Sequence, residues 1–215
     1  YSIEEISEMS FSCPNCVLLM KAPNSTQQRP TLGIPDTKFV LLNDRAKMIT
    51  KAPIRVMDLS LLELHNSRTF WDIGACTGSV SIEARRQYPH LNIQAFEVRE
   101  ECKDIIRANA RLHSAPGIDL HIGNFLNLPI AEDAIVDAVF IGGHGGKLKE
   151  IICKVASHLD KLKGKIVFNS VSEESNKLFR EAVEENDLKL HSEMNITVDT
   201  NNPITILCAT GKYHV

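Results

Sequence analysis

The sequence predicts an α/β fold, with a mostly parallel seven-stranded sheet, helices on both faces and an antiparallel C-terminal hairpin. Two observations lead to this prediction. Short apolar runs typical of buried strands alternate with longer segments of helical periodicity, and strands that alternate with helices form parallel sheets. The last two predicted strands follow each other without a helix between them, which is the pattern of a hairpin.

The predicted elements follow one another in a single alternating order. The predicted strands cover residues 69–73, 92–97, 118–122, 137–141, 165–169, 189–198 and 204–209. The predicted helices cover residues 3–9, 50–64, a segment that includes 80–84, 100–113, 147–159 and 173–185. Thr50 is expected to cap the second helix, and Pro53 falls in its first turn, where the missing N–H costs nothing.

Residues 22–36 separate a short N-terminal segment from the rest of the chain. They combine prolines with Ser, Thr, Gln and Asn, a composition typical of linkers. We therefore expect residues 1–32, with a short strand at Val17–Met20, to lie outside a main domain of residues 33–215. A chain of 215 residues is long enough for one such domain and an appendage.

Charge and hydropathy argue against two classes of partner. The formal net charge of −3 and the sequence pI near 6.3 give no indication of nucleic-acid binding. No apolar run approaches the roughly 18 residues of a membrane helix. The six scattered cysteines are typical of cytosolic thiols. Cys13 and Cys16 form a single C-x-x-C pair. A zinc site would need a second pair, and a redox dithiol would need a following helix where Val17–Met20 is expected as a strand, so we expect no metal. Ordinary thiols of this kind lead us to expect a cytoplasmic location.

The stretch Phe70–Ala84 joins a buried strand to a helix through a glycine turn. Gly74 lets the backbone turn sharply, and Gly78 lets the helix start approach a ligand. Strand, turn and helix in this order begin a nucleotide-binding unit, but the spacing Gly-x-x-x-Gly is not the G-x-G-x-x-G of dinucleotide-binding proteins. Asp72 would repel a pyrophosphate, whereas it can accept hydrogen bonds from an ammonium group or hold a water molecule beside one.

These features resemble motif I of the class I S-adenosylmethionine-dependent methyltransferases, a Rossmann-like fold whose cofactor contains a sulfonium and an amino acid. Glu97 ends the second strand twenty-five residues after Asp72, close to the roughly 20-residue offset at which an acidic side chain binds ribose hydroxyls. The alternative interpretation of Glu97 is a helix cap. Asp137 is expected to have a structural role, and Phe70 and Trp71 are expected in the core.

The loop after the fourth strand narrows the resemblance. Phe140–Gly146 has the sequence F-I-G-G-H-G-G, which is similar to the F-I-G-G-S-G-G loop of the CbiT family of cobalamin-pathway methyltransferases. Other stretches that fit this family are residues 33–36, 49–51, 71–75, 77–83 and 202–206. The stretch 11–19 is similar to the end of the CbiE half that precedes CbiT in the fused enzyme CobL, so the start at Tyr1 is expected to be a cut within such a fusion.

The resemblance implies a reaction, a cofactor and partners. A methyl group passes from S-adenosylmethionine to carbon 15 of a precorrin macrocycle, and the ring-C acetate is lost as carbon dioxide. A CbiE-like N-terminal half of the full-length chain would methylate carbon 5. Relatives of CbiT form tetramers, so a homo-oligomer is expected.

The resemblance and the motifs together assign candidate site residues to the carboxyl edge of the sheet. Those expected to bind the cofactor are Thr50, Asp72, Gly74, Ala75, Cys76, Thr77, Gly78, Glu97, Asn124 and Phe125. The glycine loop has four glycines in five residues, more than a flexible turn needs, and its exposed N–H groups would suit a substrate carboxylate. The candidates for substrate binding are Gly142, Gly143, His144, Gly145, Gly146, Lys51 and Lys147.

Four of these candidates have alternative interpretations or depart from the family. His144 replaces the usual Ser and is the one candidate catalytic residue, either as a hydrogen-bond donor to a substrate acetate or simply as an exposed loop histidine. Lys51 and Lys147 are candidates for a basic rim, the alternative being ordinary solvated lysines. Asn124 stands where the family has Asp, and the segment 197–202 is shorter than the arm of many relatives.

Two other functions remain open from the sequence. A class I methyltransferase acting on an amino group usually has an Asn/Asp-Pro-Pro-aromatic loop where this chain has Gly142–Gly146, and one acting on RNA would need positive charge. The other alternative is a non-catalytic cofactor-binding or assembly domain, against which the intact motif I argues. Methyl transfer to carbon needs alignment and exclusion of water rather than a nucleophilic side chain, so the lack of a catalytic triad is consistent with the first hypothesis.

Overall fold

One sheet of seven strands forms the centre of the computed structural model, which describes residues 2–13, 16, 32–44, 48–199 and 202–212. The strands are β1 (Thr69–Ile73), β2 (Asn92–Glu97), β3 (Ile118–Ile122), β4 (Ala138–Ile141), β5 (Lys165–Ser170), β6 (Leu188–Ile196) and β7 (Ile204–Gly211). Their order across the sheet is β3-β2-β1-β4-β5-β7-β6. β1 to β5 are parallel, and β7 runs antiparallel to both β5 and β6. The predicted fold class is confirmed.

Helices cover both faces of this sheet. They are α1 (Ile3–Ser7), α2 (Ala52–Leu61), α3 (Ser79–Gln87), α4 (Cys102–Leu112), α5 (Leu148–His158) and α6 (Glu173–Glu185), with 3-10 turns at Asp36–Lys38, Leu42–Asp44 and Leu64–Asn66. Within the described ranges no helix has the length and apolar character needed to cross a membrane. The strand predicted at Val17–Met20 and most of the predicted linker lie outside the described residues, so the domain boundary near residue 33 stays a prediction.

The helix predicted over residues 50–64 is shorter than expected and is capped differently. α2 begins at Ala52, and Lys51 at its N-cap makes no side-chain capping bond, so the expected Thr50 cap is wrong. The reason is tertiary, because the N–H of Ala52 donates to Asp36 Oδ1 at 3.0 Å. At the other end, Glu63 adopts a left-handed φ of 47° and Leu64 starts a separate 3-10 turn.

The core lies in two layers, one on each face of the sheet. Phe70, Phe140 and Val167 face α2 and α3, whereas Trp71 and Phe168 face α5 and α6. Because the inner strands are covered on both sides, adjacent residues of one strand are both buried, as in Phe70 and Trp71 with 0% and 2% exposure. The core positions expected for these two aromatics are confirmed.

Asp137 joins the strands at the edge of the sheet opposite the candidate site. Its Oδ2 accepts hydrogen bonds from the N–H groups of Arg68 and Thr69 at 2.6 and 2.9 Å, and Lys163 lies 3.0 Å from its Oδ1. The carboxylate therefore fixes the entry of β1 beside β4, and the structural role expected for Asp137 is confirmed.

Candidate functional site

The carboxyl ends of the parallel strands meet at one edge, and backbone hydrogen bonds join the loops that follow them. The N–H groups of Gly74 and Ala75 donate to the carbonyl of Phe96 at 2.8 and 3.1 Å, which joins the turn after β1 to β2. On the other side of β1, the N–H of Gly142 donates to the carbonyl of Ile73 at 2.8 Å. The parallel topology thus places the motif I turn between Glu97 and the glycine loop.

Gly74 is required by a close backbone contact between these two loops. Its φ is 79°, and a Cβ built on it would lie 2.6 Å from the backbone nitrogen of Gly143. Gly142 is also restricted, since its Cβ would lie 2.9 Å from the ring of Phe140. Gly78, with φ 74°, forms the N-cap of α3 against Ile106. The turn and the glycine loop therefore form one packed unit.

Cys76 lies in the motif I turn in a conformation that favours glycine. Its φ is 50°, and its N–H donates to Glu97 Oε2 at 2.8 Å. Its thiol is buried with Cys102 in a small cluster, and burial together with the nearby Glu97 carboxylate raises its pKa. The thiol stays protonated at neutral pH and is not a nucleophile, which leaves the backbone of Cys76 as the part able to act at the site.

Asp72 lies beneath the turn rather than on its surface. Its Oδ2 accepts hydrogen bonds from the N–H and the hydroxyl of Ser81 at 3.1 and 2.5 Å, so it supports the first turn of α3. Its Oδ1 is buried with no partner among the described residues. Burial raises the pKa of Asp72 to about 6, although the Ser81 hydrogen bonds oppose this.

Sequence reasoning missed a second buried carboxyl close to Asp72. Asp58 on α2 is completely buried, and its Oδ2 accepts a hydrogen bond from Asn169 Nδ2 at 2.7 Å. Burial raises the pKa of Asp58 well above its ordinary value, and the charge of Asp72 contributes in the same direction. No local motif distinguishes Asp58 from a surface residue of α2, so only the packing of α2 on the sheet shows its position.

Glu97 ends β2 with both carboxylate oxygens hydrogen-bonded. Oε2 accepts from the N–H of Cys76, and Oε1 accepts from the N–H and the Nη1 of Arg99 at 3.0 and 3.2 Å. The residue is only 1% exposed. The alternative of a helix cap is wrong, because α4 begins at Cys102 and its N-cap is Glu101. A carboxylate oxygen can accept more than one bond, so Glu97 retains acceptor capacity toward hydroxyl groups.

The turn after β3 lies at the same edge of the sheet, and its Phe125 side chain lies in the core. The Oδ1 of Asn124 accepts a hydrogen bond from the N–H of Leu126 at 3.0 Å, which closes the turn on itself. Phe125 is 5% exposed and packs edge-on against Trp71 and Phe96, with ring centroids 6.0 and 5.0 Å apart. Phe125 therefore anchors the turn rather than presenting its ring at the edge.

The outer part of the glycine loop is open. A Cβ built on Gly143, Gly145 or Gly146 would meet no atom within 4 Å, and the last two have φ values of 53° and 78°. His144 Nδ1 accepts a hydrogen bond from the N–H of Gly146 at 3.2 Å, and its ring lies edge-on to Phe168. Burial lowers the pKa of His144, so the ring is neutral at pH 7. With Nδ1 as acceptor, the proton is assigned to Nε2, where it is available as a donor.

The remaining candidates lie at the border of the edge. The carbonyl of Thr50 accepts a hydrogen bond from Arg55 Nη1 at 2.5 Å, which fixes the backbone that leads into α2. Lys51 pairs with Asp36 at 3.6 Å, and Lys147 pairs with Glu150 at 3.1 Å while 61% exposed. Thr77 is 1% exposed, and its hydroxyl has no partner in the described part of the chain. The described residues also contain no group of three His, Cys, Asp or Glu side chains placed to hold a metal ion.

Comparison with known proteins finds precorrin methyltransferases among the proteins similar to this chain. A family model of the precorrin methyltransferase domain matches residues 42–207. The chain is 35% identical to a cobalt-precorrin-6B C(15)-methyltransferase (decarboxylating) of Salmonella typhimurium. The alignment of 127 residues covers 59% of this chain and 64% of that protein. It is 32% identical to a precorrin-6Y C(5,15)-methyltransferase [decarboxylating] of Sinorhizobium sp, over 58% of this chain and 29% of that protein.

A solved structure agrees with these sequence relatives. The crystal structure of a precorrin-6y C5,15-methyltransferase from Geobacter metallireducens superposes with a TM-score of 0.75 and 32% identity, covering 86% of this chain and 100% of that one. The matched region thus spans slightly less than two thirds of the Salmonella protein, under a third of the Sinorhizobium protein and all of the Geobacter chain.

Proposed function

We propose, from the premise that this chain belongs to the family of precorrin methyltransferase domains, that it methylates carbon 15 of a precorrin macrocycle with loss of the ring-C acetate as carbon dioxide. The observation that supports this best is the contact of Gly74 with Gly143. It sets the turn proposed to hold the methyl donor directly against an open glycine loop suited to the substrate. Transfer between two bound molecules needs this kind of proximity.

The proposed methyl donor is S-adenosylmethionine, which supplies an activated methyl group on its sulfonium. The backbone of residues 74–78 and the N-terminus of α3 would hold its amino-acid end, because a helix N-terminus favours a carboxylate. Glu97 would accept hydrogen bonds from the ribose hydroxyls, and the turn at Asn124 and Phe125 would meet the adenine. The buried, unpartnered hydroxyl of Thr77 fits a polar ligand at this position.

Asp72 has an indirect role in this proposal. Because its Oδ1 is buried and its Oδ2 is bonded to Ser81, it acts by holding the start of α3 in place. Thr50 is proposed to meet the amino-acid end of the cofactor, from the backbone that Arg55 fixes.

The glycine loop is proposed to bind the precorrin through its carboxylates. Gly143, Gly145 and Gly146 expose backbone that no side chain covers. The Nε2–H of His144 is a further hydrogen-bond donor in the same loop. The site would align the ring carbon with the methyl group and exclude water, so no nucleophilic side chain is needed. Lys51 and Lys147 would complete a basic rim for the other carboxylates.

The alternatives from the sequence are less well supported. The glycine loop takes the place of the Asn/Asp-Pro-Pro-aromatic loop of amino-group methyltransferases, and the net charge of −3 does not favour RNA. We further propose, by analogy with the family, a homo-oligomer, a CbiE-like half in the full-length chain and a cytoplasmic location.

Isothermal titration with S-adenosylhomocysteine, the product of the donor, tests the cofactor site. We expect the wild type to bind and Glu97→Ala to bind at least about tenfold more weakly, since it loses acceptors for ribose hydroxyls. Glu100→Ala is the matched control, because Glu100 is 71% exposed and pairs with Lys103 on the surface. No binding by the folded wild type would contradict the catalytic proposal and favour an assembly domain.

Replacing His144 tests the substrate side of the same proposal. We expect His144→Ala to slow turnover of a precorrin substrate about tenfold while the affinity for S-adenosylhomocysteine stays unchanged, because one hydrogen bond to the substrate is lost. His65→Ala, an exposed histidine in the 3-10 turn before β1, is the control. A wild-type rate in His144→Ala would show that this histidine has no part in binding the substrate.

A further inference from the structure

Lys154 on α5 makes an unusual set of contacts for a lysine outside the candidate site. Its Nζ donates hydrogen bonds to the backbone carbonyls of Phe125, Leu126 and Leu128 at 2.8, 3.2 and 2.8 Å. An ammonium group has three N–H donors, so every donor is matched to one carbonyl. The same nitrogen lies 5.0 Å from the centroid of the Phe125 ring, within range of a cation–π contact.

The three carbonyls belong to the turn after β3, and its own bonds make it compact. The carbonyl of Asn124 accepts the N–H groups of Asn127 and Leu128 at 2.9 and 3.1 Å. The carbonyls of Phe125, Leu126 and Leu128 are thereby directed toward one point, where their dipoles would repel one another without a cation. Burial lowers the pKa of Lys154, because the ammonium group loses part of its hydration. The hydrogen bonds to the three carbonyls offset this loss. Turn and lysine therefore stabilise one another.

This turn lies next to the carboxylate proposed to bind ribose. The N–H of Gly123 donates to the carbonyl of Glu97 at 2.8 Å, so the turn starts beside the end of β2. The ring of Phe125 lies between Lys154 Nζ and the core aromatic Phe96, and this packing fixes the other side of the turn. A ligand whose ribose is at Glu97 would present its base to the backbone of this turn.

We propose that Lys154 is a positioning residue for base recognition, because its ammonium holds residues 124–128 in the conformation that distinguishes adenine from other bases. The inference rests on the proposed cofactor and deepens it, since it names a residue outside the site that sets the shape of the adenine subsite. In this proposal Lys154 acts through the turn and not on the ligand, because its three donors are bonded to carbonyls of the turn. Its effect should therefore appear as a loss of selectivity and not only as a loss of affinity.

Titration with two ligands measures that selectivity. S-adenosylhomocysteine and S-inosylhomocysteine differ in the base, where an oxygen replaces the 6-amino group. We expect the wild type to prefer the adenine ligand at least about tenfold, and Lys154→Met to bind that ligand about tenfold more weakly and to lose most of the preference. Lys161→Met is the matched control, because Lys161 donates to one carbonyl, that of Ala156, at 2.9 Å in the segment after α5. It should keep wild-type affinity and preference.

The outcomes separate this inference from the proposed function. A wild type that binds neither ligand contradicts the proposed function. A wild type that binds both equally, or a Lys154→Met variant with wild-type affinity and preference, overturns the inference alone. If Lys154→Met does not melt cooperatively, Lys154→Arg replaces it, because a planar guanidinium cannot direct three donors at converging carbonyls. A reduced preference in Lys154→Arg supports the inference, and an unchanged one overturns it.

Discussion

At the scale of single residues, burial changes what a side chain can do. Asp72 was expected to face the cofactor, yet its carboxyl is covered by the turn that it supports and its pKa is raised to about 6. In the unfolded chain an aspartate titrates near pH 4. Between these two values the native state therefore binds more protons than the unfolded state, so the contribution of Asp72 to stability falls as the pH rises through this window.

Asp72→Asn should remove this pH dependence. The amide oxygen can still accept the two Ser81 hydrogen bonds, while no charge has to be buried. We expect the free energy of unfolding of the variant, relative to the wild type, to increase by up to about 3 kcal/mol between pH 4 and pH 7. Chemical denaturation at both pH values measures this, with the exposed Asp133→Asn as the control. A constant difference between variant and wild type would show that the Asp72 carboxyl does not titrate in this window.

At the scale of elements, the glycines of the two loops differ in what they require. Gly74 combines a φ of 79° with backbone atoms of Gly143 on its open side, so no side chain fits there. Gly143 has no atom near the position of its missing Cβ. The glycines of the two loops therefore have different physical origins: close packing at Gly74 and Gly142, a left-handed backbone on an open surface at Gly145 and Gly146, and an open surface alone at Gly143.

Alanine substitution should separate the first of these origins from the last. We expect Gly74→Ala to lower the free energy of unfolding by about 2–5 kcal/mol, because it combines a left-handed backbone with a clash against Gly143. Gly143→Ala should change it by less than about 1 kcal/mol. Thermal and chemical denaturation of both variants gives the comparison. Equal effects of the two substitutions would contradict the observed packing of the loops.

At the scale of the whole molecule, an ion-pair network around the buried Arg55 attaches the segment before α2 to α2 and α3. Arg55 is fully buried, with Nε 3.1 Å from Glu83 Oε2 and Nη1 3.2 Å from Asp36 Oδ1. Glu83 also accepts the N–H of Gly33 at 2.6 Å, and Arg55 donates to the carbonyl of Ile34. Asn109 bonds both backbone groups of Val40. Side chains of α2, α3 and α4 thus hold the segment 33–40 in place.

Removing the cation from this network should be costly. Arg55→Met leaves the Glu83 carboxylate buried without its charged partner, and we expect a loss of about 3–5 kcal/mol in the free energy of unfolding. Arg180→Met is the control, because Arg180 pairs with Glu193 at 2.7 Å on the surface and is 42% exposed, so its loss should cost less than about 1 kcal/mol. Limited proteolysis should also cut Arg55→Met faster within residues 33–51. Similar stabilities of the two variants would contradict a structural role for the network.

The sequence by itself determined the elements, their order and the family. β1, β2, β3 and α6 have the bounds that periodicity and turn residues predicted, because strand alternation, glycine turns and helical spacing are local signals. The motif I turn and the glycine loop were found for the same reason. Their assignment to cofactor and substrate stays a prediction until the titrations are made.

Only the tertiary structure decided which side chains support those loops. The cap of α2 comes from Asp36, the partner of Asp58 from Asn169, and the cation beneath the turn after β3 from Lys154. Each of these contacts joins residues that are far apart in the chain. The local sequence around either residue does not distinguish it from an ordinary surface position. Burial and hydrogen-bond geometry depend on how the elements pack, so a pattern along the sequence contains no record of them.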